Sequence, residues 1–336
     1  VRISAATTRD FFLTSRQRAL ITAALLALGP VFPAAQAQVD PAVLRTRAEA
    51  GDPDALNALG NAYANGQGVA QDYAEAVRLY ELAAARGHAP ALFNLGMMSE
   101  LGRGAPADLG AAFKRYLKAA ELGFAAAQFN VGNMYANGIG VKRDYFEAAL
   151  WFRQAADRAV PEAQYNLALA YELGRGVAKD EAAAQKWYRA AADQKYSRAR
   201  YNLALMLEDG RGSAPDQAAA AALYREAAAQ NFAPAQNNFG IMLAEGHGGL
   251  KPDAVEAYAW LALAVENGAK PIARDLLVRQ LSPTQLTAAN TRISSLRFQL
   301  DPRAAAAATT PAIAATASPA PTPSAPDPQI AATQSA

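Results

Sequence analysis

The 336-residue sequence contains no cysteine and only two histidines, His88 and His247. The first absence removes a disulfide framework, a thiolate nucleophile and every cysteine-held metal site. The two histidines are isolated, lack His-x-x-x-His spacing and adjoin glycine turns, so both read as surface residues and no metal ligand set is expected. No cofactor is expected either. Excess charge of one sign is also missing. The formal net charge is +2, and with residues 1–37 set aside 28 basic side chains face 29 acidic ones, which leaves no electrostatic footprint for nucleic acid. There is no Gly-x-Ser-x-Gly elbow and no Ser-x-x-Lys motif, so no catalytic residue is assigned and the chain reads as a non-enzyme. Long hydrophobic runs are lacking too: residues 19–28 are too few to span a bilayer as a stable helix.

That short run has a recognisable setting. Basic Arg16 and Arg18 precede it, a Gly29-Pro30 break follows, and small residues end at Ala35-Gln36-Ala37. The pattern predicts an export signal over residues 1–37, cleaved near Ala37, and hence a periplasmic or secreted chain with no transmembrane span after cleavage.

What is abundant is repetition. Ala55, Ala91, Ala127, Ala163, Ala199 and Ala235 fall at thirty-six-residue steps, as do Leu59, Leu95, Val131, Leu167, Leu203 and Phe239, each followed by Gly or Ala. Six copies at this period predict a solenoid over residues 55–271. Within a copy, a first helical pattern ends at a Gly-x-Gly turn such as Gly138/Gly140, where the first glycine suits the left-handed position after a helix end. These turns join two helices and occur six times, so they are not phosphate loops. An aspartate follows (Asp72, Asp108, Asp144, Asp180, Asp216 and Asp253) and reads as the N-cap of a second helix. Glu75, Glu147 and Glu256 three residues later predict capping boxes. Gly249 lengthens the sixth loop by one. The second helix combines alanines with a large ring at Tyr80, Tyr116, Phe152, Tyr188 and Tyr224, small meeting large at each layer.

Flanking segments complete the expected layout. Residues 38–54 carry a short helical pattern (Val43, Leu44, Ala48) that caps the first copy, and residues 272–300 carry capping helices, the last opened by Ser282-Pro283-Thr284-Gln285 with Leu286, Ile293 and Leu296 inward. Residues 301–336 are rich in Ala, Pro and Thr and predict a disordered tail.

The unit resembles the Sel1-like repeat, a relative of the tetratricopeptide repeat. The resemblance rests on Tyr165-Asn166-Leu167-Ala168, Tyr135 and Tyr171, Gly138-x-Gly140-Val141, Asp144, Ala148, Trp151 and Ala155-Ala156. It implies an all-α, right-handed α-solenoid of six helix-turn-helix repeats, used as an adaptor that binds protein partners along a concave surface. For an exported bacterial member it also implies envelope signalling or exopolysaccharide control. Ala159, Lys195 and Asn231 depart from the glycine seen at Gly87, Gly123 and Gly268, which is expected to alter the tightness of those inter-repeat turns.

Two sets of residues are candidate partner contacts. Phe93, Phe129, Tyr165 and Tyr201 lie four residues before Met97, Asn133, Leu169 and Leu205, so each pair shares one face of its first helix. The rings equally suit an inter-repeat core, which makes the variable second set the better specificity candidates. The ladder of Asn94, Asn130, Asn166, Asn202 and Asn238 reads as satisfying backbone groups of the neighbouring repeat. Two further functions stay open: an envelope hydrolase or β-lactam-binding protein, by analogy to distant cysteine-rich family members, and a peptidoglycan or polysaccharide binder using exposed rings.

Overall fold

The computed structural model describes residues 41–301. The signal at 1–37 and all of the expected tail beyond Asp301 lie outside the described residues. Among the described residues every regular element is an α-helix. The chain divides into two compact units, one ending at Arg158 and one beginning at Ala159.

The first unit holds α1 (Pro41–Glu49), α2 (Pro53–Asn65), α3 (Tyr73–Ala84), α4 (Ala89–Leu101), α5 (Leu109–Glu121), α6 (Ala125–Asn137) and α7 (Tyr145–Asp157). The second holds α8 (Pro161–Leu173), α9 (Glu181–Asp193), α10 (Ser197–Asp209), α11 (Gln217–Ala228), α12 (Ala233–Glu245), α13 (Ala254–Glu266), α14 (Ile272–Val278) and α15 (Pro283–Leu300). Six consecutive helix pairs, α2/α3 to α12/α13, are the repeats, and the fold class is an α-solenoid.

Each pair is closed by the same local chemistry. The first helix stops at a glycine in the left-handed conformation, for instance Gly138 at φ 68° and Gly210 at φ 70°. The following aspartate then caps the second helix: Asp144 Oδ1 accepts from the Phe146 and Glu147 amides at 2.9 and 3.1 Å. The amide of that aspartate donates back to a carbonyl in the first helix, Asp144 to Tyr135 at 3.0 Å and Asp216 to Leu207 at 2.9 Å. In the sixth copy the bond runs from Asp253 to Leu243, one residue further back, as the extra Gly249 requires.

The aspartate half of the expected capping boxes forms, but in the first and sixth copies the glutamate half goes elsewhere. Glu75 turns to Arg78 at 2.6 Å, and Glu256 accepts from Trp260 Nε1 at 2.9 Å and pairs with Arg292 at 2.5 Å. A guanidinium or indole donor outcompetes an amide that water can serve. Ser282 and Gln285 do form a full box at the start of α15, where Ile293 and Leu296 are buried and Leu286 is half-buried.

Packing follows the small-against-large rule. A Cβ on Gly60, Gly96 or Gly132 would stand 2.6 Å from the ring of Tyr80, Tyr116 or Phe152, so in these three copies the bare glycine lets the ring sit as close as it does. The second glycine of the turn makes an equally close approach to backbone: a Cβ on Gly140 would lie 2.1 Å from the Leu109 carbonyl oxygen, and one on Gly212 2.6 Å from that of Glu181. Each of these loops therefore rests on the start of the preceding copy's second helix. Ala159, Lys195 and Asn231 correct an expectation. They hold φ of 61°, 65° and 59°, the same left-handed turn as Gly87 at 77°, so the turn is kept and the residues bear the strain.

Candidate partner-binding faces

Every one of the eight candidate contact residues is half-buried on a first helix. In the first unit Phe93 packs on Tyr116 at 5.3 Å and on Phe124 at 5.2 Å, and Phe129 on Phe152 at 6.2 Å. Met97 lies against the same cluster, and Asn133 gives its carbonyl to Asn137 Nδ2 at 2.8 Å. In the second unit Tyr165 contacts Tyr188 and Tyr196 at 5.6 and 5.5 Å, and Tyr201 contacts Tyr224 and Phe232 at 5.7 and 5.5 Å. Leu205 packs beside them and Leu169 is half-buried. The stripe rings thus each keep one side against rings of their own copy. Phe124, Tyr196 and Phe232, which stand at the N-caps of first helices, complete these ring clusters and were not singled out from the sequence. Their signal was the recurrence of a ring at thirty-six-residue multiples, immediately before the helix starts at Ala125, Ser197 and Ala233.

Beneath the rings runs a polar layer. Tyr116, Tyr188 and Tyr224 donate their hydroxyls to Glu100, Glu172 and Glu208 at 2.8, 2.7 and 2.8 Å. Phe152 has no hydroxyl, and Ala136 stands where the glutamate would be. Asn202 Nδ2 donates to the Tyr188 hydroxyl at 3.0 Å, and Asn94 Nδ2 to Asn57 Oδ1 at 2.8 Å. The asparagine ladder therefore serves neighbouring side chains at these two positions rather than the expected backbone groups. Arg211, from the fifth turn, reaches Glu172 at 2.5 Å. Burial pushes Tyr116, Tyr188 and Tyr224 well above the ordinary tyrosine range, with the adjacent glutamates adding to it, and pushes Tyr196 up to about 12. These hydroxyls stay protonated and act as fixed donors.

A second polar ladder escaped sequence reasoning. Gln128, Gln164, Arg200 and Gln236 recur at thirty-six-residue steps, and Gln128 and Gln236 are buried with Nε2 on the carbonyls of Ala120 and Ala228 at 3.2 Å. Arg200 Nε does the same for Ala192 at 3.2 Å. Gln128, Arg200 and Gln236 thus tie down an end carbonyl of the preceding second helix, while Gln164 Oε1 accepts from Gln194 Nε2 at 2.8 Å.

His88 corrects the surface reading. Its side chain is 12% exposed, Nδ1 accepts from the Ala91 amide at 3.2 Å, and Nε2 lies 3.0 Å from Asp54 Oδ1, so it is an N-cap. His247 is exposed beside Glu245 at 3.3 Å. Among the described residues no group of three or more His, Cys, Asp or Glu converges as a metal site, and no helix is long and apolar enough to cross a membrane.

The Sel1 repeat family matches the chain six times, at residues 53–88, 89–124, 125–160, 161–196, 197–232 and 233–268. A Sel1 repeat protein from Oxalobacter formigenes is similar at 33% identity, with 68% of this chain and 99% of that chain covered and a TM-score of 0.59. A protective antigen of uropathogenic Escherichia coli displaying an SLR fold is similar at 28% identity and a TM-score of 0.67, covering 78% of this chain. The match spans 58% of that antigen's length. No match is found among curated proteins. Sel1 repeats are protein-interaction scaffolds, generally without enzymatic activity. By six consecutive copies over residues 53–268, the chain belongs to the Sel1 repeat family.

Proposed function

We propose that this chain is a non-catalytic adaptor of the bacterial envelope that binds protein partners through the faces of its first helices. The observation that carries the reading is a contrast along α4, α6, α8 and α10. The surrounding core repeats nearly unchanged from copy to copy, while half-buried Met97, Asn133, Leu169 and Leu205 differ in kind and keep part of each side chain toward solvent. Beside them, Phe93, Phe129, Tyr165 and Tyr201 offer ring edges already fixed by the core, so a partner meets them at little further entropic cost. Half-exposed rings with flexible Met suit an amphipathic or extended peptide. The apolar run at residues 19–28 and the small residues before Gln38 support export.

The test is retention of envelope proteins by the immobilised chain, wild type against Met97→Glu, Asn133→Lys and Leu169→Glu. At least one retained protein should fall tenfold or more in each variant whose helical content is unchanged. Retention of every protein at wild-type levels by all three would remove these faces as the binding surface. Accumulation of the chain in the cytoplasm, with residues 1–37 uncleaved, would remove the envelope assignment.

A further inference from the structure

In the second unit a notch of about 110 Å³ opens beside α11, floored by Ala218, Ala221 and Ala222, walled by Phe239 and Leu250, and bounded by Arg225. Its origin lies in two departures from the repeat. The positions of Ala221 and Ala222 are held by Val77 and Arg78, Phe113 and Lys114, Ala149 and Leu150, or Gln185 and Lys186 in the four preceding copies, so each of those copies places at least one longer side chain there. Gln185, for example, reaches Ser213 at 2.8 Å. In the fifth copy both are alanine, and the inserted Gly249 displaces the loop that follows α12. Arg225 is exposed and makes no ion pair among the described residues.

We propose that this notch is occupied by the chain's own C-terminal segment, with Ile330 seated on the alanines and Asp327 paired with Arg225. Leu300, the last residue of α15, accepts from Asn231 Nδ2 at 3.3 Å, so the chain leaves the described structure beside the end of α11. From Asn231 back to Ala218 is about 20 Å along the helix at ~1.5 Å per residue. The run from Asp301 to Asp327 spans at least about 25 Å even as a flexible coil, so the tether reaches. Among residues 302–336 the only acid is Asp327 and the only large aliphatic side chains are Ile313 and Ile330. Asp327 precedes Pro328, and in the extended helix that proline favours, residues three apart share a side and lie about 9 Å apart. Arg225 stands one to two turns, about 5–10 Å, from the floor alanines, which matches that spacing. An apolar cavity of ~150 Å³ holds a benzene ring, so this smaller notch suits a four-carbon aliphatic side chain.

Isoleucine-methyl NMR on the full chain tests this at two protein concentrations, with wild type, Arg225→Glu and Ala222→Lys, the last restoring the long side chain of other copies at an exposed position. The Ile330 methyl should shift upfield under the Phe239 ring, show cross-relaxation to the Ala221 and Ala222 methyls at both concentrations, and return toward the unstructured position in both variants. An Ile330 methyl that in the wild type keeps the position it has in urea would overturn the proposal. So would a shift that grows with concentration, which makes a second copy the occupant, or one that Ala222→Lys leaves intact, which places Ile330 elsewhere.

Discussion

Gly140 and Gly132 stand eight residues apart in the third copy and meet different neighbours. A methyl group on Gly132 would face the Phe152 ring, and copies four and five already carry alanine there, at Ala168 and Ala204. A methyl on Gly140 would face a backbone carbonyl at 2.1 Å with φ at 66°. Gly132→Ala should therefore cost about 1–3 kcal/mol as overpacking. Gly140→Ala should cost about 3 kcal/mol or more, since about 1–2 kcal/mol of left-handed strain adds to a clash no rotamer relieves. Urea denaturation of the two variants checks the order. The first glycine of each turn was legible in the sequence because its cause is local, a helix end. The reason for the second was not, because its neighbour belongs to the preceding copy. The same holds for the Gln128 ladder, whose period was visible but whose target carbonyls were not.

At the level of elements, helices and caps followed from the sequence with little loss, since spacing, αL glycine and aspartate act within a few residues. The expected capping boxes failed where a stronger donor stood nearby, Arg78 for Glu75 and Arg292 for Glu256, and the latter lies on a helix thirty-six residues away. The inter-repeat turns make the complementary point. Lys195 holds φ 65° without the freedom of glycine. Lys195→Gly should raise stability by about 0.5–1 kcal/mol, the left-handed strain relieved less the chain entropy glycine adds. Asn231→Gly should gain less, because asparagine tolerates this region and its side chain also serves Gln236 and Leu300. Chemical denaturation midpoints at constant slope give both values.

Across the whole molecule, buried tyrosines couple stability to alkaline pH. Burial raises Tyr80, Tyr116, Tyr188 and Tyr224 above their ordinary value, so above pH ~10 the folded chain holds more protons than the unfolded one. Their contribution is complete below pH ~10 and is lost as pH rises toward the folded values. Tyrosinate absorbance from these residues should accordingly appear together with loss of helical circular dichroism, not before it. The six-copy architecture was readable from period alone, whereas the eight candidate contact residues were readable only as a face. Phe93 and Tyr165 serve core and surface at once, and sequence spacing cannot divide the two roles. The most direct measurement is photo-cross-linking of the full chain to an envelope fraction, with a cross-linking residue placed singly at 97, 133, 169 or 205 and, for comparison, at exposed 150 or 186 on second helices. Adducts to one protein from the pair within a unit, 97 and 133 or 169 and 205, and none from 150 and 186 are predicted. Adducts confined to 150 and 186 would contradict the account.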